Sequence, residues 1–198
     1  SQPPSALQSG TLHARLRPVR IAMPVNLRRF FPSKTLRNFI TMVYPSIDPR
    51  LGDYTFEEIV TQVHHYMRYY INSKFLRGDI TTNASTQRNP LIRIVPLFLK
   101  DFVVRQFYQR VQDKNSSAGL TNMGAIRVPD DMKPYLERFD IYMGIPYSQR
   151  TNCAIVSFED TLTVNFASCI IEADVERRFF QKLVEDGIPV TIESNREL

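Results

Sequence analysis

The sequence predicts an α/β chain, a mixed β-sheet sandwich with flanking helices. Three observations carry that expectation. Short β-rich runs occur on both sides of a long helical stretch. An apolar stripe at helical spacing opens at Thr55. A second amphipathic stretch closes the chain before Gly187.

Residues 1–17 are Ser/Gln/Pro-rich at their start and read as a leader or linker, leaving 18–198 as one domain. Val19 to Val25 alternates as a strand does. Asn26 to Arg37 is a polar, basic loop, and Asn38 to Tyr44 is a second β-rich run before turn material at Pro45 to Gly52. Thr55 with Glu58 forms a capping box, and Phe56, Ile59, Val60, Val63, Met67, Tyr70 and Ile71 follow on one helical face. Gly78 is the expected C-cap, Asp79 to Asn89 a polar loop, and Pro90 to Asp113 an apolar helix kinked or restarted at Pro96. Ser117 to Val128 reads as an irregular or bulged strand and Asp131 to Leu136 as a helical turn. Phe139 to Met143, Asn152 to Phe158 and Thr161 to Ala167 read as strands, the last two joined by a tight turn at Glu159-Asp160. Glu172 to Asp186 is the closing helix, Gly187 ends it, and Pro189 to Glu193 is a last strand. About seven strands and three or four helices result.

Composition narrows the function classes. Hydrophobic residues at 43% and charged residues at 23% are globular values and argue against wholesale disorder. Seven glycines make a Gly-rich phosphate cradle a poor reading. Two cysteines, Cys153 and Cys169, without a CxxC or Cys/His cluster exclude a disulfide scaffold and a zinc finger, and reduced thiols fit a cytosolic protein. No apolar run reaches the roughly 20 residues of a membrane span, and no h-region follows Arg15 and Arg17, so the expectation is a soluble, cytoplasmic chain. Charge is unevenly spread. Seven bases and no acid precede Asp48, whereas thirteen acids and seven bases follow from Asp130 onward. A basic face invites phosphates, whether of nucleic acid or of a nucleotide-bearing cofactor such as coenzyme A, or else the two ends neutralise each other in the fold.

No catalytic constellation stands out. His64 and His65 form an adjacent pair suited to general-base chemistry, but both lie in the strongest helix with no acid one turn away, and a core-edge His beside a surface His is the better reading. His13 stands alone. Asp53, Glu57, Glu58 and Asp130-Asp131 are explained by helix N-termini rather than by metal binding. No serine sits in GxSxG, and both cysteines lie in apolar strand contexts where a buried thiol is inert.

Three segments carry a resemblance. Pro24-Val25-Asn26-Leu27-Arg28-Arg29-Phe30 is followed by Thr35-Leu36-Arg37-Asn38-Phe39, later by Leu120-Thr121-Asn122-Met123-Gly124, then by a hairpin and a closing helix ending in Gly187-Ile188-Pro189-Val190. In this order and spacing the chain resembles the C-terminal half of the chloramphenicol-acetyltransferase-like superfamily, above all its bacterial alcohol-acetyltransferase-like members, over about Val19 to Glu193. The resemblance implies one lobe of a two-lobed fold. It also implies acyl transfer from acyl-coenzyme A, a co-substrate rather than a tightly bound cofactor, to a small alcohol or amine acceptor. The family's HHxxxDG motif lies in the N-terminal half. Here the HH pair continues Tyr66-Met67-Arg68-Tyr69-Tyr70, so the catalytic role is not carried onto His64 or His65, and the partner implied is an N-terminal catalytic lobe of the same parent protein.

What remains is a wall of the active-site tunnel. Thr121, Asn122 and Gly124 match the segment near the tunnel, where a hydroxyl or amide can donate to developing oxyanion charge; the same residues also suit a plain bulge. Arg28 and Arg29 can meet a cofactor phosphate, or Arg28 can pair with a carboxylate and fix its loop. Tyr135, Phe139, Phe179 and Phe180 read as core. Two further functions stand beside this one: a non-enzymatic binding module whose basic segment, with Phe30-Phe31, contacts nucleic acid, and a degenerate, purely structural family member. A lobe without its companion exposes apolar surface, so a tendency to self-associate is expected.

Overall fold

The computed structural model describes residues 17–88, 96, 99, 101, 105, 116–145 and 149–195. Within them lie six strands, β1 (Val19–Asn26), β2 (Ile40–Val43), β3 (Ser46–Ile47), β4 (Ala118–Ala125), β5 (Thr151–Phe158) and β6 (Thr161–Ser168), and three α-helices, α1 (Phe56–Tyr70), α2 (Ser73–Arg88) and α3 (Asp174–Glu185). The strands form one mixed sheet in the order β2-β1-β4-β5-β6, with β3 also paired to β1. The three central strands run parallel. β2 and β3 are antiparallel to β1, and β6 is antiparallel to β5. This is the mixed α/β sheet with flanking helices that the β-rich runs imply.

β5 is the centre of the core. Thr151 to Ala154, Val156 and Phe158 are all buried, so the strand is covered on both faces. On one face Phe166 of β6 meets Phe179 and Phe180 of α3, ring centroids 5.3 and 5.7 Å away. On the other face residues 136–145 lie across the sheet, with Phe139 edge-on to Phe158 at 5.1 Å.

Three expectations change here. Phe139 to Met143 is not a strand. Side-chain contacts hold it and the residue that follows: Arg138 binds Asp140, Asp140 accepts from Asn165, and the Gly144 carbonyl accepts from Asn152. Pro189 to Glu193 is likewise not a strand; Glu193 is held by a two-pronged bond from Arg138, with contacts of 2.8 and 2.7 Å. Gly78 does not end a helix. The helix from Thr55 stops at Tyr70, and Asn72 reorganises the chain: its amide donates to the Tyr69 carbonyl while Oδ1 accepts from the N–H groups of Lys74 and Phe75. One side chain thus closes α1 and caps α2, which then carries helix through Gly78 to Arg88, where a polar loop from Asp79 was expected. Leu76 of α2 is fully buried. The expected helix from Pro90 to Asp113 falls almost wholly outside the described residues.

Other local signals read true. The Thr55–Glu58 capping box is formed in both directions. Glu159 takes φ 47 in the hairpin turn, and Gly187 takes φ 79 as α3 ends with Ile188 N–H bonded to the Leu183 carbonyl. Tyr135 is a further correction: it is 87% exposed on a short 3-10 turn, Lys133–Tyr135, that leaves its ring outside the core. Phe139, Phe179 and Phe180 are half-buried in the contacts already given.

A buried polar clamp locks β4 to β5. Asn152 is 1% exposed; its Oδ1 accepts from Gly119 N–H at 2.7 Å and its Nδ2 donates to the Gly144 carbonyl at 2.8 Å. A methyl at position 119 would lie 2.8 Å from that Oδ1. Asn152→Ala leaves the buried Gly119 N–H and the part-buried contact at the Gly144 carbonyl unmet, and we expect a loss of about 2–4 kcal/mol in urea denaturation. Gly119→Ala is expected to destabilise as well, because its Cβ displaces the carboxamide. Asn72→Ala is expected to cost about 1 kcal/mol by removing the α2 cap.

Candidate functional site

The parallel strands bring distant motif residues to one end of the sheet. Ile21 faces Ala118 and Ala22 faces Gly119, while Asn122 faces Ile155 and Ala125 faces Ser157. The carboxyl ends of β1, β4 and β5 therefore lie side by side. β1 runs out into a 3-10 turn, Leu27–Arg29, that carries Arg28 and Arg29. β4 ends in the Thr121 to Gly124 segment, and β5 ends at the Glu159 turn. In parallel sheets this end is where ligands are commonly bound.

Pro24 opens the sheet there. Ile21 and Leu27 donate toward the β2–β3 side, to the carbonyls of Pro45 and Phe39, whereas Arg20 N–H is directed toward β4 at Ser117 Oγ. Even-numbered residues of β1 therefore face β4, and Pro24 is the next but one after Arg20 and Ala22. Proline has no N–H to give. The β1–β4 register covers Ile21↔Ala118 and Ala22↔Gly119; farther on, β1 pairs with β2 and β4 with β5.

On β4 the register shifts between Asn122 and Ala125, which is a β-bulge. Gly124 takes φ 71 and its N–H bonds Asn122 Oδ1 at 2.8 Å. The carboxamide oxygen of Asn122 is thus committed to shaping the bulge. Met123 projects outward, 62% exposed, and Thr121 is half-buried on the same stretch. The bulge reading of this motif is what the backbone adopts.

Arg28 serves its own loop. Its Nη2 donates to the carbonyls of Thr35 at 2.9 Å and Arg37 at 2.7 Å, while its backbone N–H is capped by Asn26 Oδ1. The partners are carbonyl oxygens, so among the described residues the loop is fixed without a carboxylate and the guanidinium is in no ion pair. Arg29, Lys34 and Arg37 are exposed beside it. Phe30 and Phe31 are half-buried, and the Arg77 guanidinium of α2 lies 5.9 Å from the Phe31 ring centre.

His64 and His65 are both exposed on α1, so His64 is not at the core edge as expected; their ring centres are 6.0 Å apart and they are in no hydrogen bond with a described residue. Among the described residues no three His, Cys, Asp or Glu side chains gather as a metal site. No described helix is long and apolar enough to cross a membrane.

No protein-family model, curated protein or solved structure matches this chain.

The site therefore rests on its own geometry. It holds a basic turn that is in no ion pair with a described residue, a bulge with an outward Met123, and a break in the ladder between them. Near the bulge end, Lys133 bonds Asp130 at 2.9 Å and Glu159 at 3.4 Å, and its ammonium holds the Asp130 carboxyl below the usual carboxylate range. Sequence reasoning missed Pro24 and Asn152 as organisers. The signal for Pro24 was a proline inside a β-rich run, and for Asn152 a lone amide opening an apolar run.

The two thiols separate cleanly. Cys153 is buried in β5, and desolvation pushes its thiol up to about 11. Cys169, expected to be buried, is exposed because it lies just past β6, where its N–H extends the ladder to the Arg150 carbonyl. Neither forms a disulfide. Iodoacetamide at pH 8 is expected to label Cys169 and spare Cys153 until the chain is unfolded, with peptide mass mapping as the readout.

Proposed function

We propose that this chain is one wall of a coenzyme A-dependent acyltransferase, the C-terminal half of a two-lobed enzyme whose general-base imidazole lies on another lobe. The supporting observation is the convergence of Arg28 and Arg29 with Thr121, Asn122 and Gly124 at the carboxyl ends of three parallel strands. These are the residues on which the resemblance to the chloramphenicol-acetyltransferase-like superfamily rests, from segments some ninety positions apart.

In this reading the chain binds and orients. The basic turn attracts a phosphate-bearing co-substrate, with Arg29 and Arg37 contributing charge and Arg28 holding the turn in shape. The bulge sets the Thr121 hydroxyl and the Asn122 amide nitrogen on the wall, where each can donate to an oxygen that gains negative charge during acyl transfer. Removal of the acceptor's proton is assigned to the companion lobe. Exposed apolar side chains on the helices, Phe56 and Val60 on α1 with Val175 and Val184 on α3, accord with a chain that meets further protein surface.

The reading as a nucleic-acid module is less favoured. Phe30 and Phe31 are half-buried and Arg77 covers Phe31, so they do not form an open stacking platform.

Calorimetric titration with coenzyme A tests the proposal. Binding is expected, weakened by up to about tenfold in Arg29→Gln, and the chain alone is expected to give no acyl transfer from acetyl-coenzyme A. Steady turnover by this chain alone would overturn the assignment of the base to another lobe. Absence of coenzyme A binding, or binding that Arg29→Gln leaves unchanged, would overturn the phosphate role of the turn.

A further inference from the structure

The two outer strands of the sheet differ in charge surroundings, and among the described residues each has a backbone edge that no strand pairs. β6 pairs with β5 over eight consecutive positions, Thr161↔Phe158 through Ser168↔Thr151, without a bulge. Ser157 O accepts from Ile126 on the β4 side, and Arg150 O accepts from Cys169 on the β6 side. Even-numbered β5 residues thus face β6, and within the antiparallel register the odd-numbered β6 residues face β5. The N–H and C=O groups of Leu162, Val164 and Phe166 point outward, and no described strand pairs with them. The strand sequence, Thr-Leu-Thr-Val-Asn-Phe-Ala-Ser, contains no charge and no proline. Edge strands that avoid pairing usually carry one of these devices.

The sheet's other flank supplies a complementary edge. The Leu27 N–H to Phe39 carbonyl bond places odd-numbered β2 residues toward β1, so the backbones of Ile40 and Met42 face outward; beyond them the Tyr44 N–H is taken by Tyr66 Oη of α1. Arg28, Arg29, Lys34 and Arg37 precede β2, none in an ion pair with a described residue, and there is no acid between 17 and 47. At the start of β6 stand Glu159 and Asp160, and Glu172 follows its end. Cations flank one edge; on the other, Glu159 is shared with Lys133 at 3.4 Å, and Asp160 and Glu172 are in no ion pair with a described residue.

We propose that the outer edge of β6 pairs with the outer edge of β2 on a second copy of this chain, in parallel orientation, so that Arg37 of one copy comes beside Asp160 of the other. The two surfaces differ, so the contact is heterologous and each copy keeps one edge free for another. Backbone hydrogen bonds between Ile40–Met42 and Leu162–Phe166 supply the register, and the charged flanks supply the choice of partner. This inference does not depend on the acyltransferase reading.

Sedimentation velocity of the full chain tests it. Concentration-dependent species larger than a dimer are expected, and raising salt from about 0.05 to about 0.5 M is expected to shift them toward monomer, since the Debye length shortens severalfold. Val164→Pro removes an outward donor without touching the β5 ladder and is expected to abolish association while circular dichroism stays native. Asp160→Lys and Arg37→Glu are each expected to weaken association, and the double variant to restore it. These surface changes decide the matter even if Val164→Pro unfolds. A strict monomer at high concentration, association that salt strengthens, or a dimer indifferent to both charge variants would overturn the proposal; the last would point to twofold β6–β6 pairing.

Discussion

The contact on which the sheet most depends is the buried carboxamide of Asn152. It joins three stretches of backbone, β4 at Gly119, β5 at its own position and the covering segment at Gly144. A carboxamide away from water is tolerated only when its donor and acceptor are both met, and here each side has a backbone partner. The same contact explains why position 119 has no side chain: the space a Cβ would need is filled by the carboxamide. With β4 and β5 so fixed, the register of the parallel core is set, and every feature at its carboxyl end inherits its position.

Two departures from regular pairing shape that end. Pro24 withholds a donor from the β4-facing side of β1, and the Asn122–Gly124 bulge turns β4 out of simple register. Each is a small local change, yet between them two strands adjacent at Ala22 and Gly119 go on to pair with other neighbours. The basic turn after β1 is pinned by Arg28, whose guanidinium donates to the carbonyls of Thr35 and Arg37 and is in no ion pair with a described residue.

How much of this was legible in the residues depended on the range of the interaction. The strand at Val19, the capping box at Thr55, the hairpin at Glu159-Asp160 and the stop at Gly187 rest on contacts within a few residues, and all four appear as read. The end of α1 was misplaced because Asn72, rather than Gly78, satisfies the free groups at the helix junction. Phe139 to Met143 and Pro189 to Glu193 have strand-like composition, but they are tied down by side-chain contacts, Arg138 with Asp140 and Glu193 and Asn165 with Asp140, and join no ladder. Of the site residues, the bulge at Asn122–Gly124 was readable from residue type, while the loop-pinning role of Arg28 needed the positions of Thr35 and Arg37.

The sequence by itself determined the local elements and the uneven charge, because capping, periodicity and turn chemistry act over one or two turns of chain. Only the tertiary structure decided that Arg28 and Gly124 share one end of a sheet, that Asn152 is the buried fastener, and that the two edge strands carry opposite surroundings. Those facts follow from which strands lie next to each other, and adjacency between strands about a hundred residues apart is set by burial of the whole core rather than by any short run of residues.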